Sequence, residues 1–504
     1  MKKLKHIFPL LIPVLLTVAA CKKDKGNYDY LQLSTYFVDS TSIPKQVVVK
    51  QNDQYNLAPV YTGQAADADL AYEWKLVTAG SVPDPVTGKF YEKQVGITKD
   101  LSYKVTETPG DYILVLYVSD KKHGGVTQMF KIPFNISSYA SPGWMVLHGN
   151  STECDISILV NNKVNTLVPA GTDYVQNNVF FETNGKKIEG EGAAISYMNN
   201  HWVDVFTKNN TGGYRVSGND LRILNTYSDM FISPMPASDV QYQGYGVWVT
   251  NQLLVNKGDL YFTPQANPNG YNKYGVKCFG EDYYAAPFIG TIFNYSYYGV
   301  IYDAQNKRFL YIDFNRTVKK FKASGATAAF DMNNTGKEMV YAEHGFDSRW
   351  FCVMQNEGNT ASRELFVSKF NVADDGNRAV ARYDIHNGTD LPNAKYFAFG
   401  NRGNIMYYAT DTKIYQSNYS GDLSSTLRLD ISNNWPGYTI TQMKLFKVTN
   451  HASDGRILFL GLYNAATSEG ILLQMDVNEV SGVIDSIKAY PGFGKITGMG
   501  YKVK

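Results

Sequence analysis

The chain has 504 residues, 44% of them hydrophobic and 19% charged, with 48 Lys and Arg against 46 Asp and Glu for a formal charge of +2. Charges so balanced and scattered lack the basic stripe needed to neutralise phosphates, which argues against DNA or RNA as a partner. The apolar fraction is enough for two or three cores and excludes a largely disordered chain.

Met1-Lys2-Lys3-Leu4-Lys5 opens an apolar run that ends at Ala20, just before Cys21. A basic start, a short apolar core and small residues ahead of a cysteine read as a secretory signal of the lipoprotein kind over 1–20. The run falls short of the roughly 20 apolar residues that a membrane span needs. Val18-Ala19-Ala20-Cys21 matches the lipobox: small residues let a peptidase bind the extended chain, and the Cys21 thiol is the nucleophile that receives the lipid. Several acyl chains there would bury enough methylenes to hold the mature protein on a membrane without spanning it. Polar residues 21–29, beginning Cys21-Lys22-Lys23-Asp24-Lys25-Gly26-Asn27, suit a tether.

From 30 to 140 strand-like runs alternate with turn clusters. Gln46–Lys50 is a candidate strand, as is Leu70–Leu76, whose apolar residues fall at even spacing around Trp74. Pro109-Gly110-Asp111-Tyr112 opens Ile113–Val118, which alternates with period two. The spacing predicts a β-sandwich of about a hundred residues. Tyr72-Glu73-Trp74, followed by Pro109-Gly110-Asp111-Tyr112 and Val118-Ser119-Asp120, resembles the PKD-type immunoglobulin-like repeat, without the Asp-Phe-Gly-Asp-Gly stretch of typical members. The head Cys21-Lys22-Lys23-Asp24-Lys25-Gly26-Asn27-Tyr28-Asp29-Tyr30 is similar to that of the divergent PKD-like surface lipoproteins of Bacteroidota. That resemblance implies attachment to the outer membrane facing the cell exterior. It also implies a SusC-type TonB-dependent transporter with its SusD-type lid as partner.

Ser141-Pro142-Gly143 punctuates the chain before Trp144-Met145-Val146-Leu147. Hairpins then recur: near Gly149-Asn150, Ile195–Phe206 around Asn199-Asn200, Val247–Val255 around Asn251, and Val300–Phe314 around Asn306. Met339–Met354 around Asp347, Phe397–Tyr408 around Arg402-Gly403 and Leu445–Leu460 around Asp454-Gly455 follow, with turn centres some 40 to 55 residues apart. Blade-sized repeats predict a β-propeller over 141–504 of seven blades, with six or eight close behind. Two stacked sandwiches are the competing architecture. The 38 Tyr, 26 Phe and 43 Gly fit such an all-β chain of pleated strands and tight turns.

Catalytic signatures are sparse. No Gly-x-Ser-x-Gly elbow occurs, and Gly494-Lys495-Ile496 lacks the Ser or Thr of a phosphate loop, so it reads as a turn at a strand end. The seven histidines have no ligand spacing, and neither Asp374-Asp375-Gly376 nor Asp67-Ala68-Asp69 follows the order of a calcium loop. No metal or cofactor is expected. Cys154, Cys278 and Cys352 read as buried apolar residues, with one disulfide pair open. A glycosidase pair of carboxylates from two loops would leave no trace in the spacing.

The aromatic clusters Tyr283-Tyr284 and Tyr295-Ser296-Tyr297-Tyr298, with Trp202 and Trp248, are the candidate ligand-binding residues. Neighbours on a strand point to opposite faces, so one of each adjacent pair is turned away from its blade core and free to stack on sugar rings or clamp peptides. The bland alternative is packing between blades. The expected function is a non-catalytic accessory subunit that captures oligosaccharide or peptide for the importer. A surface glycosidase or peptidase and a ligand-free structural subunit are the alternatives.

Overall fold

The computed structural model describes residues 36–503 apart from 64–68, 81–90, 123–125, 138–139, 199–201, 209–211, 233–234, 246–251, 264–272, 292–296, 371–377 and 420–423. The signal segment, Cys21 and the head through Tyr30 therefore lie outside the described residues, as do Trp248, Tyr295 and Asp374-Asp375-Gly376. The chain is all-β, with 56% of the described residues in strands and 5% in helices. No described helix is long and apolar enough to cross a membrane. It divides into two compact units: described residues up to Val49 with Asp53–Val105 and Gly110–Ile136, and Ser137 onward with Lys50–Asn52 and Thr106–Pro109.

In the first unit Val47–Lys50, Thr127–Ser137, Gly110–Asp120, Leu70–Thr78 and Glu92–Gly96 pair side by side in that order. Gln54–Leu57 pairs with Leu101–Lys104 in a second, two-stranded sheet. Even spacing sends Leu70, Trp74 and Leu76 to one core with Leu114, Leu116, Phe134 and Tyr103. Trp74 has no exposed surface, and its indole N–H donates to the Thr98 carbonyl at 3.0 Å, so its one polar atom is buried with a partner.

Among the described residues of the second unit are seven sheets in chain order. Sheet 1 holds Gly143–Gly149, Glu153–Asn161 and Asp173–Gln176 and is completed from the far end of the chain by Lys495–Lys502, paired antiparallel to Gly143–Gly149. Sheet 2 runs from Gly192–Met198 to Ile223–Thr226, sheet 3 from Val240–Tyr245 to Asp259–Phe262, and sheet 4 from Ala285–Gly290 to Thr317–Lys320. Sheets 5, 6 and 7 begin with Glu338–His344, Tyr396–Phe399 and Thr439–Leu445. Six of the seven expected hairpins fall in different sheets; the one around Asn251 has 247–251 outside the described residues, and sheet 3 pairs Val240–Tyr245 with Gln252–Asn256.

The leading strands make a closed cycle of neighbours. Lys495–Lys502 lies beside Gly192–Met198, which lies beside Val240–Tyr245, and so on through sheets 4 to 7 until Thr439–Leu445 meets Lys495–Lys502 again. The apolar clusters follow the same cycle, because each is built from two consecutive sheets. Met145 and Ile156 meet Val203 and Val205; Phe351 and Val353 meet Phe397 and Phe399; Trp144 and Val146 meet Phe459 and Leu472. In the last of these Trp144 stacks on Phe459 with ring centroids 4.2 Å apart.

A sheet covered on both faces needs strands that are apolar on both faces. Trp350–Gln355 is accordingly buried at every position. Some polar side chains inside these interfaces pair with one another. Arg215 and Asp204, neither with exposed surface, form a two-point ion pair at 2.7 and 2.8 Å. Gln252 accepts from Arg215 at 2.8 Å, and Gln243 donates to Asp204 at 2.6 Å. This network joins sheets 2 and 3.

Candidate functional site

A leading strand pairs along one edge with its own sheet and turns the other edge toward its neighbours in the cycle. The carbonyls on that edge have no ladder partner, and polar side chains from adjacent leading strands meet them. Gln442 Nε2 donates to the Thr497 carbonyl at 2.9 Å, and Lys444 Nζ to the Met499 carbonyl at 2.8 Å. Both donors stand on sheet 7 and both acceptors on the strand that completes sheet 1.

Around them is a charged cluster drawn from separate sheets. Lys447, just beyond sheet 7, places Nζ 2.9 Å from Glu343 Oε1 on sheet 5 and donates to the His344 carbonyl. The same Glu343 oxygen accepts the Phe399 N–H of sheet 6. Tyr341 hydrogen-bonds with Glu343, and Tyr242 of sheet 3 lies within electrostatic reach of it. Phe288 of sheet 4 packs edge-on against Tyr341 at 5.4 Å.

The cluster lines a recess that water reaches and protein encloses. Lys444 is exposed and Glu343 and Lys447 keep 19% of their side-chain surface open, yet surrounding protein is dense enough to perturb the ionisable groups. Burial lowers the Lys444 pKa, with Glu343 opposing and Lys447 reinforcing the shift. Lys447 is lowered for the same first reason, with Glu343 again opposing. Burial and then the Glu343 charge raise Tyr242 to about 12 and Tyr341 well above its usual range, so both hydroxyls stay protonated and able to donate. Burial and Lys447 lower His344 to about 4, leaving it neutral at pH 7.

The aromatic residues singled out from sequence are placed differently. Tyr283 is buried, its hydroxyl donating to the Cys278 carbonyl at 2.9 Å and accepting from the Leu260 N–H at 3.3 Å. Tyr297 is buried against Tyr311 and Phe321, with the Arg378 guanidinium 4.9 Å from its ring centroid. Trp202 is buried under the Arg215 guanidinium at 4.8 Å. All three rings are buried and so offer no ligand face: Tyr283 packs between sheets 3 and 4, Tyr297 between sheets 4 and 5, and Trp202 against Arg215 of its own sheet. Tyr298 is half-buried between Phe262 and Phe314. Tyr284 is 43% exposed, its ring lying over Gly258. The adjacent pair Tyr283-Tyr284, just ahead of Ala285–Gly290, thus divides between core and surface.

Sequence reasoning missed Tyr242, Tyr341, Glu343, Lys444 and Lys447. The available signal was the charge inside otherwise apolar strands, Glu343 after Met339-Val340-Tyr341-Ala342 and Lys444 between Met443 and Leu445. Such a charge needs water or a partner.

Two further clefts lie between sheets 1 and 7. One, of about 300 Å³, is lined by Asn161, Lys163, Asp173, Asp476, Lys488 and Tyr490. Its groups satisfy one another: Lys163 pairs with Asp476, Lys488 with Asp173, and Tyr490 donates to Asp173 at 2.8 Å. The other, of about 330 Å³, borders His148. Among the described residues no three His, Cys, Asp or Glu side chains gather as metal ligands. Cys154, Cys278 and Cys352 are free and buried, and burial raises Cys154 and Cys278 to about 12, far from a reactive thiolate. The open question of a disulfide pair closes on three separate thiols.

The PKD-like family model matches residues 21–192. No curated protein matches the chain. Among solved structures, a Bacteroides fragilis protein provisionally assigned as a 6-phosphogluconolactonase is 13% identical, with a TM-score of 0.36 over 60% of this chain and 84% of its own. The extracellular domain of a B. thetaiotaomicron protein, provisionally assigned as a one-component system, is 12% identical, with a TM-score of 0.33 over 73% of this chain and 49% of its own. A DUF4784 family protein from Bacteroides caccae is 9% identical, with a TM-score of 0.24 over 93% of this chain and 98% of its own. At these TM-scores none of the three bears on function.

Proposed function

We propose that residues 141–504 form a seven-bladed β-propeller, preceded by a PKD/immunoglobulin-like sandwich over 30–140, and that the chain is a lipoprotein anchored through Cys21 on the outer-membrane surface. Its role is that of a non-catalytic accessory subunit that captures oligosaccharide or peptide beside a SusC/SusD-type TonB-dependent importer. The propeller reading is supported by the cycle of leading strands and by apolar clusters that each span two consecutive sheets. Surface attachment is supported by the lipobox and by the PKD-like match that begins at Cys21.

The observation that carries the binding role is the recess at the meeting of the leading strands, where the Lys444 ammonium and the protonated Tyr242 hydroxyl offer hydrogen-bond donors and Tyr341 donates to Glu343 beside them. Few convergent polar groups in a preformed hollow are what a binding site for a polar ligand requires. Glu343 is held by Lys447, Tyr341 and the Phe399 N–H, which suits a fixed structural carboxylate better than a proton-transferring one. That favours capture over hydrolysis.

The test is retention of a glycan and peptide library by the soluble protein lacking 1–21, compared with the Tyr242→Ala/Tyr341→Ala variant. Retention without product release by the parent, lost in the variant, is the expected result. Equal retention by both moves the site elsewhere, and released product makes the chain a hydrolase. Co-purification of the full-length chain with a transporter from detergent-solubilised outer membrane tests the partner. A chain that elutes alone under mild conditions counts against it.

A further inference from the structure

Resting on the reading of the central recess as the binding site, we infer that its ligand carries a carboxylate, and that Lys444 is the residue that selects it. The charge count leads there first. Lys447 and Glu343 neutralise each other at 2.9 Å. Asp454, also within electrostatic reach of Lys447, is matched by Arg402 at 3.6 Å and by two hydrogen bonds from Asn401 at 2.8 and 2.9 Å. His344 is neutral at pH 7. Lys444 is left as the surplus positive charge of the cluster.

Its hydrogen-bond inventory points the same way. An ammonium has three donors, and the described partner of Lys444 is one neutral carbonyl, that of Met499. Holding Nζ against the Met499 carbonyl fixes the ammonium in place without cancelling its charge. Two donors remain for the recess, beside the protonated hydroxyl of Tyr242, while the Tyr341 hydroxyl donates to Glu343. A group that accepts several hydrogen bonds and brings one negative charge completes this arrangement, and a carboxylate does both. Partial enclosure strengthens the attraction relative to open water, whereas a neutral sugar hydroxyl would leave the charge unmatched.

The rings divide the work with the cation. Tyr341 packs between Phe288 at 5.4 Å and Phe397 at 5.8 Å, so the recess combines a packed aromatic wall with a fixed cation. A uronic-acid residue, whose pyranose ring carries a carboxylate in place of the terminal hydroxymethyl, has both complements. Glucose is its neutral counterpart, differing at that one group.

The experiment uses the soluble chain lacking 1–21, labelled with carbon-13 at lysine Cε, with the Lys444 signal assigned from its disappearance in Lys444→Arg. Titration with D-glucuronate is expected to move that signal saturably, and D-glucose at equal concentration to leave it in place. Apparent affinity for glucuronate should fall roughly 10- to 100-fold in Lys444→Met, the range of a charge-assisted hydrogen bond, and persist in Lys444→Arg. The exposed-lysine control Lys395→Met should behave as the parent. A Lys444 signal that glucuronate does not move, or that glucose moves equally, overturns the inference, and so does unchanged affinity in a folded Lys444→Met protein. If the library yields only neutral ligands that depend on Tyr242 and Tyr341, the inference falls and central binding stands. If retained ligands ignore those tyrosines, central binding itself falls.

Discussion

His148 ties the two ends of the second unit together, and its titration should be visible in stability. It stands on Gly143–Gly149 with 5% exposure; Gly494 N–H donates to its Nδ1 at 3.1 Å, and Nε2 lies 2.8 Å from Ser157 Oγ. Because Nδ1 accepts, Nε2 carries the proton and donates to the serine. A proton added at Nδ1 would break the bond to Gly494, the residue between Ile484–Phe493 and Lys495–Lys502. Burial first, and then the Lys187 charge, lowers the pKa of the ring from 6.5 to about 4. Above pH 6.5 both folded and unfolded chains hold the ring neutral. As pH falls through 6.5 toward 4 the unfolded chain takes a proton that the folded one refuses, and stability is lost across that window.

At about 1.4 kcal/mol per pKa unit, the loss attributable to His148 is about 3 kcal/mol. The assay is urea unfolding of the parent and His148→Gln between pH 7.5 and 4. Glutamine donates and accepts but does not protonate, and His344, which burial lowers in the same way, cancels in the comparison. The stability difference between the two proteins should shift by about 3 kcal/mol in favour of the variant on acidification. Parallel pH profiles would refute the assignment of a buried neutral imidazole.

Asp204→Asn strands the buried Arg215 guanidinium without its counter-charge and should cost about 3–5 kcal/mol, read as a lowered urea midpoint. Gly258 has φ +75°, and an added Cβ would lie 2.4 Å from the Tyr284 ring, so Gly258→Ala should destabilise by about 1 kcal/mol or more and raise the accessibility of Tyr284 to iodination. Deleting Gly494–Lys504 removes the strand paired to Gly143–Gly149, with buried Ile496 and Met499, each worth about 2–5 kcal/mol. The second unit should then lose its cooperative thermal transition by circular dichroism. A deletion protein that melts like the parent would mean that the closing strand contributes nothing to stability.

The sequence by itself determined the all-β class, the turns and the pairing between near neighbours. A hairpin is written in a few consecutive residues: Asp303 accepts from the N–H groups of Gln305 and Asn306, and Gly455 takes φ +74° at its turn. Leu70, Trp74 and Leu76 showed their face because that strand buries Leu70, Trp74 and Leu76 while its other positions stay half-buried. The strands of the second unit gave a weaker rhythm, since neighbouring sheets cover both of their faces and remove the polar alternation.

Tertiary structure decided what closes on what. The pairing of His148 with Ile496 spans most of the chain and has no local signature. Tyr283 and Tyr284 were equal candidates in sequence; the face that meets the next sheet buried one and left the other in solvent. Glu343 and Lys447 lie about a hundred positions apart and come within 2.9 Å because the cycle of leading strands turns sheet 5 and the end of sheet 7's leading strand toward one recess, across sheet 6. Each residue carries its own charge in the sequence, but the electrostatics of the recess depend on distances between strands that are far apart along the chain.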